Sequence, residues 1–330
     1  MRAPGFLALL AAAACGSSST ATVPQERESA AATAVPTTAQ LPPPPQSPAA
    51  PASATAPTAG ELDAIIARLW PDGCFTFRDA AGTLHTSNPT RCELPRRPYS
   101  TFKIANALIG VEAGLLDGPD AAMTWDKQAI PDQRSFRDAW RKPQTLRTGM
   151  AVSAVPYFRT LALQLGEERM RAGLDKLDYG NRDISGGLDR FWLSGGLRIS
   201  AARQLAFVEA LARDQLAVSP RTQRTVREVL ALETADAATL RGKTGSGPAS
   251  DLGANNPGWL VWQVGWIELG TASPAIMPYA CWMETRDAGV DAARASRNQR
   301  LRATLDELAL FPAPAPAVAP APAPSAALAR

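Results

Sequence analysis

The chain of 330 residues contains one histidine, His85, and that scarcity excludes much of hydrolytic chemistry. A Ser-His-Asp triad would have to use it, and no Gly-x-Ser-x-Gly elbow is present. His85 lies in the polar stretch Gly82-Thr83-Leu84-His85-Thr86-Ser87-Asn88, which reads as a surface hairpin and not as a catalytic site. Neither His-Glu-x-x-His nor Cys-x-x-Cys occurs, so no metal site is expected. Gly242-Lys243-Thr244 ends like a phosphate-binding loop, but Ala237 stands where that loop needs its first glycine. A scattered net charge of +3 gives no footprint for nucleic acid. Beyond the N-terminus, no apolar run is long enough to span a bilayer.

What is present falls into four segments. Residues 1–15 read as an export signal: Arg2 supplies the positive charge, Phe6 to Ala14 the apolar region, and Ala12-Ala13-Ala14-Cys15 a small-residue cleavage site. Cys15 followed by Gly16-Ser17-Ser18-Ser19 resembles a bacterial lipobox without its usual leucine, which leaves lipid anchoring at Cys15 and ordinary secretion to the periplasm both open. Residues 16–60 are a Pro/Ala/Ser/Thr-rich linker, residues 61–311 one large domain, and residues 312–330 an Ala-Pro tail. Export implies an oxidising compartment, in which Cys74 and Cys92, bracketing a hairpin, are placed to form a disulfide. Cys281 reads as a buried free thiol.

Three short motifs in order carry the chemistry: Ser100-Thr101-Phe102-Lys103, Ser153-Ala154-Val155 and Lys243-Thr244-Gly245. Ser-x-x-Lys alone arises by chance about once in such a chain, so the ordered set is what counts. After Pro98-Tyr99 the run from Ser100 to Gly114 reads as a helix starting at or near the serine, which sets Lys103 one turn from the Ser100 hydroxyl. Apolar residues cover most of that helix, so it belongs in the interior. A lysine amine held there is desolvated, its pKa falls, and it becomes available as a base. The helix start also suits a nucleophile that becomes negative as it attacks a carbonyl.

With Tyr179-Gly180-Asn181, Phe191-Trp192-Leu193-Ser194-Gly195, Leu197-Arg198-Ile199-Ser200 and Gly265-Trp266-Ile267-Glu268 added, the chain resembles a class D, oxacillinase-type serine β-lactamase over about residues 70–310. The resemblance implies hydrolysis of penicillin-type β-lactams through a Ser100 acyl-enzyme, conferring resistance. Lys103 would be the base, carboxylated by carbon dioxide to N6-carboxylysine. Ser153 would relay protons, Trp192 would hydrogen-bond the carbamate, and Val155 and Leu193 would shield it. Lys243 and Thr244 would bind the substrate carboxylate beside Gly245, and the amides of Ser100 and Ser246 would form the oxyanion hole. Tyr179 to Asn181 would line the site, although read alone Trp192 is core and Tyr-Gly-Asn a turn. The family's carboxylate-binding arginine has three candidates, Arg294, Arg297 and Arg300, of which spacing to Leu301 and Leu305 favours Arg297. Arg97-Pro98-Tyr99 departs from the family's usual Ser-Pro-Ala, with a bulkier residue at the pocket rim. A peptidoglycan DD-peptidase normally carries Ser-x-Asn where this chain has Val155, and a β-lactam sensor carries several membrane spans.

The coarse pattern is strands near 73–79 and 82–87, a helix-rich centre from 100 to 230, strands near 239–245, 259–269 and 277–285, and a helix over 294–309. The central helices are expected over Pro156–Leu165, Glu167–Lys176 and Ser200–Ala212. For the late Lys243 strand to flank the early Ser100 helix, strands from both ends must share one sheet. That predicts an α/β (α+β) fold, an antiparallel sheet flanked by helices beside an all-helical region, as in β-lactamases and DD-peptidases.

Overall fold

The computed structural model describes residues 58–249, 258–271, 273–286 and 288–312. The export signal, Cys15, nearly all of the linker and the tail beyond Pro312 lie outside the described residues. The first helix, α1 (Ala59–Leu69), starts within the last residues assigned to the linker, where Thr58 and Glu61 form a reciprocal capping box at its head. Strands β1 (Gly73–Arg78) and β2 (Leu84–Thr86) form the expected antiparallel hairpin, with Phe77 opposite His85.

His85 is a correction: it is buried, stacked on Phe77 with ring centroids 4.8 Å apart. Its Nδ1 lies 3.1 Å from Asp63 of α1, and its Nε2 lies 3.3 Å from Asp79. Helix α1, which was not foreseen from the sequence, covers what otherwise reads as a surface strand.

Asn88 caps α2 (Pro89–Glu93), with Pro89 in its first turn, and this short helix carries Cys92 beneath β1. A 3₁₀ turn over Tyr99–Phe102 leads into α3 (Lys103–Glu112), so Lys103 and not Ser100 is the first α-helical residue. From Lys103 to Val111 every residue of α3 is buried, which matches its apolar sequence.

A pairing of β3 (Ala122–Met123) with β4 (Gln144–Thr145) brackets α4 (Asp138–Arg141), and Thr145 caps α5 (Leu146–Ala151). The two helices expected on either side of Gly166 are both present within α6 (Val155–Lys176), and the chain breaks between them at Gly166, whose φ of +77° is not helical. Helix α7 (Ala201–Ala212) starts at the Ser200 cap, and α8 (Pro220–Glu228) starts at the Ser219 cap.

The chain then adds β5 (Ala231–Ala235), β6 (Ala238–Pro248), β7 (Trp259–Leu269), β8 (Ala275–Thr285) and α9 (Val290–Glu307), the last starting four residues before its expected N-terminus. All six long-sheet strands are antiparallel, in the order β2-β1-β8-β7-β6-β5, so strands from both ends of the chain do share one sheet.

Helices cover both faces of that sheet, which is why β7 and β8 read as nearly unbroken apolar runs. Period-2 alternation still sorts the side chains. Tyr279, Cys281 and Met283 enter the core with Ile66 of α1 and Leu301 and Leu305 of α9. Ala280 and Trp282 enter the larger core built on α3, α6 and α7. Ser100 and Lys103 stand on the second side, and β6 brings Lys243 to them.

Cys74 and Cys92 form a disulfide with Cα atoms 5.1 Å apart, and Cys281 is free and buried, its thiol pushed up to about 12 by burial. Closing this loop stabilises the fold by about 3 kcal/mol in the chain-entropy model. Cys92→Ser is therefore expected to lower the denaturation midpoint with the far-ultraviolet dichroism kept. Non-reduced peptide mapping should find the two peptides linked, and free thiols at both positions in oxidised protein would contradict the assignment.

Candidate active site

Lys103 is wholly buried at the start of α3, and three oxygens surround its amine. Nζ lies 3.0 Å from Ser100 Oγ, 2.8 Å from Ser153 Oγ and 2.7 Å from the Ser153 carbonyl. The i, i+3 spacing places the first contact, and the turn joining α5 to α6 places the other two. Ser153 holds φ +58° in that turn, a conformation rare for a non-glycine residue. Ala154 N–H bonds the Gly149 carbonyl at 2.8 Å, and the Trp140 indole bonds the Val152 carbonyl at 2.9 Å, which together fix it.

Burial, and secondarily the charge of Lys243, holds the Lys103 amine well below the usual lysine range. A neutral amine has two N–H groups and a lone pair, but three oxygens lie around this one. The carbonyl can only accept, so the lone pair faces a hydroxyl proton of Ser100 or Ser153. That is the arrangement of a base poised on a serine.

Strand β6 closes the other side. An added Cβ on Gly245 would lie 2.7 Å from the Pro98 carbonyl oxygen and 3.2 Å from Thr101 N, so only glycine lets β6 approach the nucleophile turn this closely. Lys243 is buried, with Nζ 3.1 Å from the Thr244 carbonyl, and Thr244 and Ser246 are half-buried beside it. Burial first, then Arg297 and Arg294, lower its ammonium to about 7.

The arginines separate by geometry. Arg294 directs Nη2 and Nε to Ser246 Oγ at 2.9 and 3.1 Å and remains partly exposed. Arg297 is buried, its Nη1 spent on the Trp262 carbonyl at 3.0 Å and its Nη2 on Asn298 at 2.6 Å. Arg300 faces Asp72 at 3.6 Å. Helical spacing favoured Arg297 because it lies on the apolar stripe, and the same stripe buries it.

Trp192 is wholly buried with its ring 5.0 Å from Phe102, and its indole N–H has no hydrogen-bond partner among the described residues. The segment holding it is tied to α6 by the Arg159–Asp189 ion pair, with Arg159 Nε 2.9 Å from the carboxylate. Asn181 accepts the Arg198 amide at 2.9 Å and donates to the Gly196 carbonyl at 3.0 Å. Leu193 and Val155 are half-buried.

Tyr179 is a correction. It is wholly buried, edge-on to Phe102 at 5.7 Å and to Phe207 at 4.9 Å, and its hydroxyl accepts from Gln204 at 3.3 Å. It supports the nucleophile turn from behind and does not line the site. Gln204, which also bonds Thr101 at 2.8 Å, went unnoticed in the sequence because a glutamine inside an amphipathic helix carries no signal. Among the described residues no group of three or more His, Cys, Asp or Glu side chains could hold a metal ion.

The Penicillin binding protein transpeptidase domain family matches residues 79–296. Over 202 residues the chain is 41% identical to β-lactamase OXA-10 of Pseudomonas aeruginosa, covering 61% of this chain and 73% of that protein. It is 37% identical to the probable β-lactamase YbxI of Bacillus subtilis (strain 168), over 60% of this chain and 70% of that one. The crystal structure of FUS-1 (OXA-85), a class D β-lactamase from Fusobacterium nucleatum subsp. polymorphum, superposes with a TM-score of 0.65 at 31% identity, covering 73% of this chain and 94% of that one. The chain belongs to the class D β-lactamases. It is accordingly a serine hydrolase that opens β-lactams, on the penicillin-recognising fold that its motifs implied.

In this class D β-lactamase, burial and, after it, two arginines depress a lysine that has no carboxylate partner among the described residues. Lys243, carbon-13 labelled at Cε, is expected to titrate near 7, and in Arg297→Met, which keeps the stem and removes the charge, to titrate higher. A wild-type Lys243 titrating in the ordinary lysine range, or one unmoved by Arg297→Met, would contradict this electrostatic reading.

Proposed function

We propose that this enzyme hydrolyses penicillin-type β-lactams through an acyl-enzyme on Ser100, with Lys103 carboxylated during turnover. The observation that carries the reading is the wholly buried Lys103 amine, within 3.0 Å of both serine hydroxyls. Neutral Lys103 takes the Ser100 proton as Oγ attacks the lactam carbonyl. The developing oxyanion is received by the backbone N–H groups of Ser100 and Ser246. Ser153, bonded to the same amine, passes the proton to the departing ring nitrogen, and the C–N bond opens. The carboxylate of the substrate lies against Lys243 and Thr244, and we assign the accompanying arginine to Arg294, whose guanidinium already donates to Ser246 Oγ.

Deacylation needs a base for water, and the depressed amine suits reversible addition of carbon dioxide, which yields a carbamate only from a neutral amine. The unpartnered N–H of Trp192, a donor that cannot accept, supports an anion in this part of the core, with Val155 and Leu193 limiting water at its edge. Export to the periplasm, with Cys15 as the candidate lipid-bearing residue, and a role in β-lactam resistance belong to the same reading. The export signal at residues 1–15 supports them.

Penicillin should be cleared over many turnovers. Intact-mass measurement should find a single adduct that is absent from Ser100→Ala, and an adduct surviving in that variant would refute the nucleophile. Arg294→Ala should lower kcat/KM by about one to two orders of magnitude, as fits a lost charge-assisted contact of about 1.5–3 kcal/mol.

Lys243 binds an anion only when protonated, so kcat/KM should fall as pH rises through about 7. Lys243→Arg, whose charge persists, should lose that alkaline limb. Lys103 acts only when neutral, so activity should fall on acidification and be restored in part by bicarbonate. A profile flat across neutral pH in wild type would count against both assignments.

A further inference from the structure

The nucleophile is preceded by a residue whose conformation needs explaining. Tyr99 holds φ +50°, a left-handed backbone that a tyrosine adopts only where its surroundings over-determine it, and its side chain is buried. Its hydroxyl donates to the Pro248 carbonyl at the end of β6. Its ring occupies the space beside Gly247, where any Cβ would overlap the ring carbons. Arg97, two residues earlier, stands with its guanidinium 5.8 Å from the same ring, and its carbonyl accepts the Trp262 indole of β7 at 3.0 Å.

The consequence falls on Ser246. The preceding residue, Gly245, packs on the Pro98 carbonyl and the Thr101 amide, the following residue, Gly247, packs on the Tyr99 ring, and the next, Pro248, accepts the Tyr99 hydroxyl. The strand is therefore fixed to the nucleophile turn on both sides of the Ser246 amide.

We propose that Tyr99 is a positioning residue for the oxyanion site: it sets the separation between the Ser100 turn and the Ser246 amide by clamping β6 at Gly247 and Pro248. The proposal rests on the Ser100 acyl-enzyme reading and adds to it the residue that holds the two donors in register. Tyr99 touches neither substrate nor reacting atoms in this account. Displacement of an oxyanion donor by a fraction of an ångström weakens the transition state of both chemical steps, because acylation and deacylation each pass through a tetrahedral oxyanion.

Rapid-mixing kinetics with a chromogenic cephalosporin gives the two rate constants separately. Tyr99→Phe, which keeps the ring and removes the hydroxyl, should lower acylation and deacylation together by about tenfold, with substrate dissociation little changed. Gly247→Ala should lower both rates further by displacing the ring. Combining Gly247→Ala with Tyr99→Ala should recover part of that loss, because the methyl then has room. Wild-type turnover with Tyr99→Phe at wild-type rates, a loss confined to substrate binding or to melting temperature, or strictly additive effects of the Gly247 and Tyr99 changes would each overturn the positioning role alone. A wild-type enzyme that forms no Ser100 adduct would overturn the acyl-enzyme reading together with it.

Discussion

The structure depends on keeping one lysine amine dry among hydroxyls. Lys103 gains three oxygen neighbours but, among the described residues, no carboxylate partner, and its amine lies 5.4 Å from the centroid of the Phe158 ring, a face that offers only weak compensation. Burial therefore shifts its balance toward the neutral amine. A helix buried along nearly its whole length is an unusual place to begin with a lysine, and α3 achieves it by ending its charge at the 3₁₀ turn where the serines meet it.

Around that amine the fold arranges a second, graded set of cations. Lys243 is buried and depressed, Arg297 is buried but spent on a backbone carbonyl, and Arg294 reaches the half-buried Ser246. After burial, which is the larger cause at both, the charge of Lys243 lowers Lys103, and the charges of Arg297 and Arg294 lower Lys243.

Much of this was legible in the sequence. Ser-x-x-Lys is local geometry, so the contact between Ser100 and Lys103 could be read from it, and the apolar run after it foretold a buried helix. The antiparallel sheet followed from the need to bring Lys243 back to Ser100. Gly166 marked the break in α6, while β7 and β8 show no apolar/polar contrast in the sequence because both faces of the sheet are covered. Features set by a distant element were the ones missed. Composition hid α1, so His85 read as exposed. Spacing chose Arg297 for its apolar flanks, which bury it. Tyr179 matched a motif whose turn is structural, and nothing local indicates that Tyr99 reaches Pro248, 149 residues away.

The central claim is the proposal that Lys103, a buried amine held well below the usual lysine range, takes up carbon dioxide in the core that also holds the Trp192 indole N–H. Carbon NMR on active protein with carbon-13 bicarbonate tests it most directly. The account predicts one carbamate carbon, absent from Lys103→Ala, weakened in Trp192→Phe and lost as acid protonates the amine. A fully active enzyme with no carbamate carbon and no response to bicarbonate would contradict it.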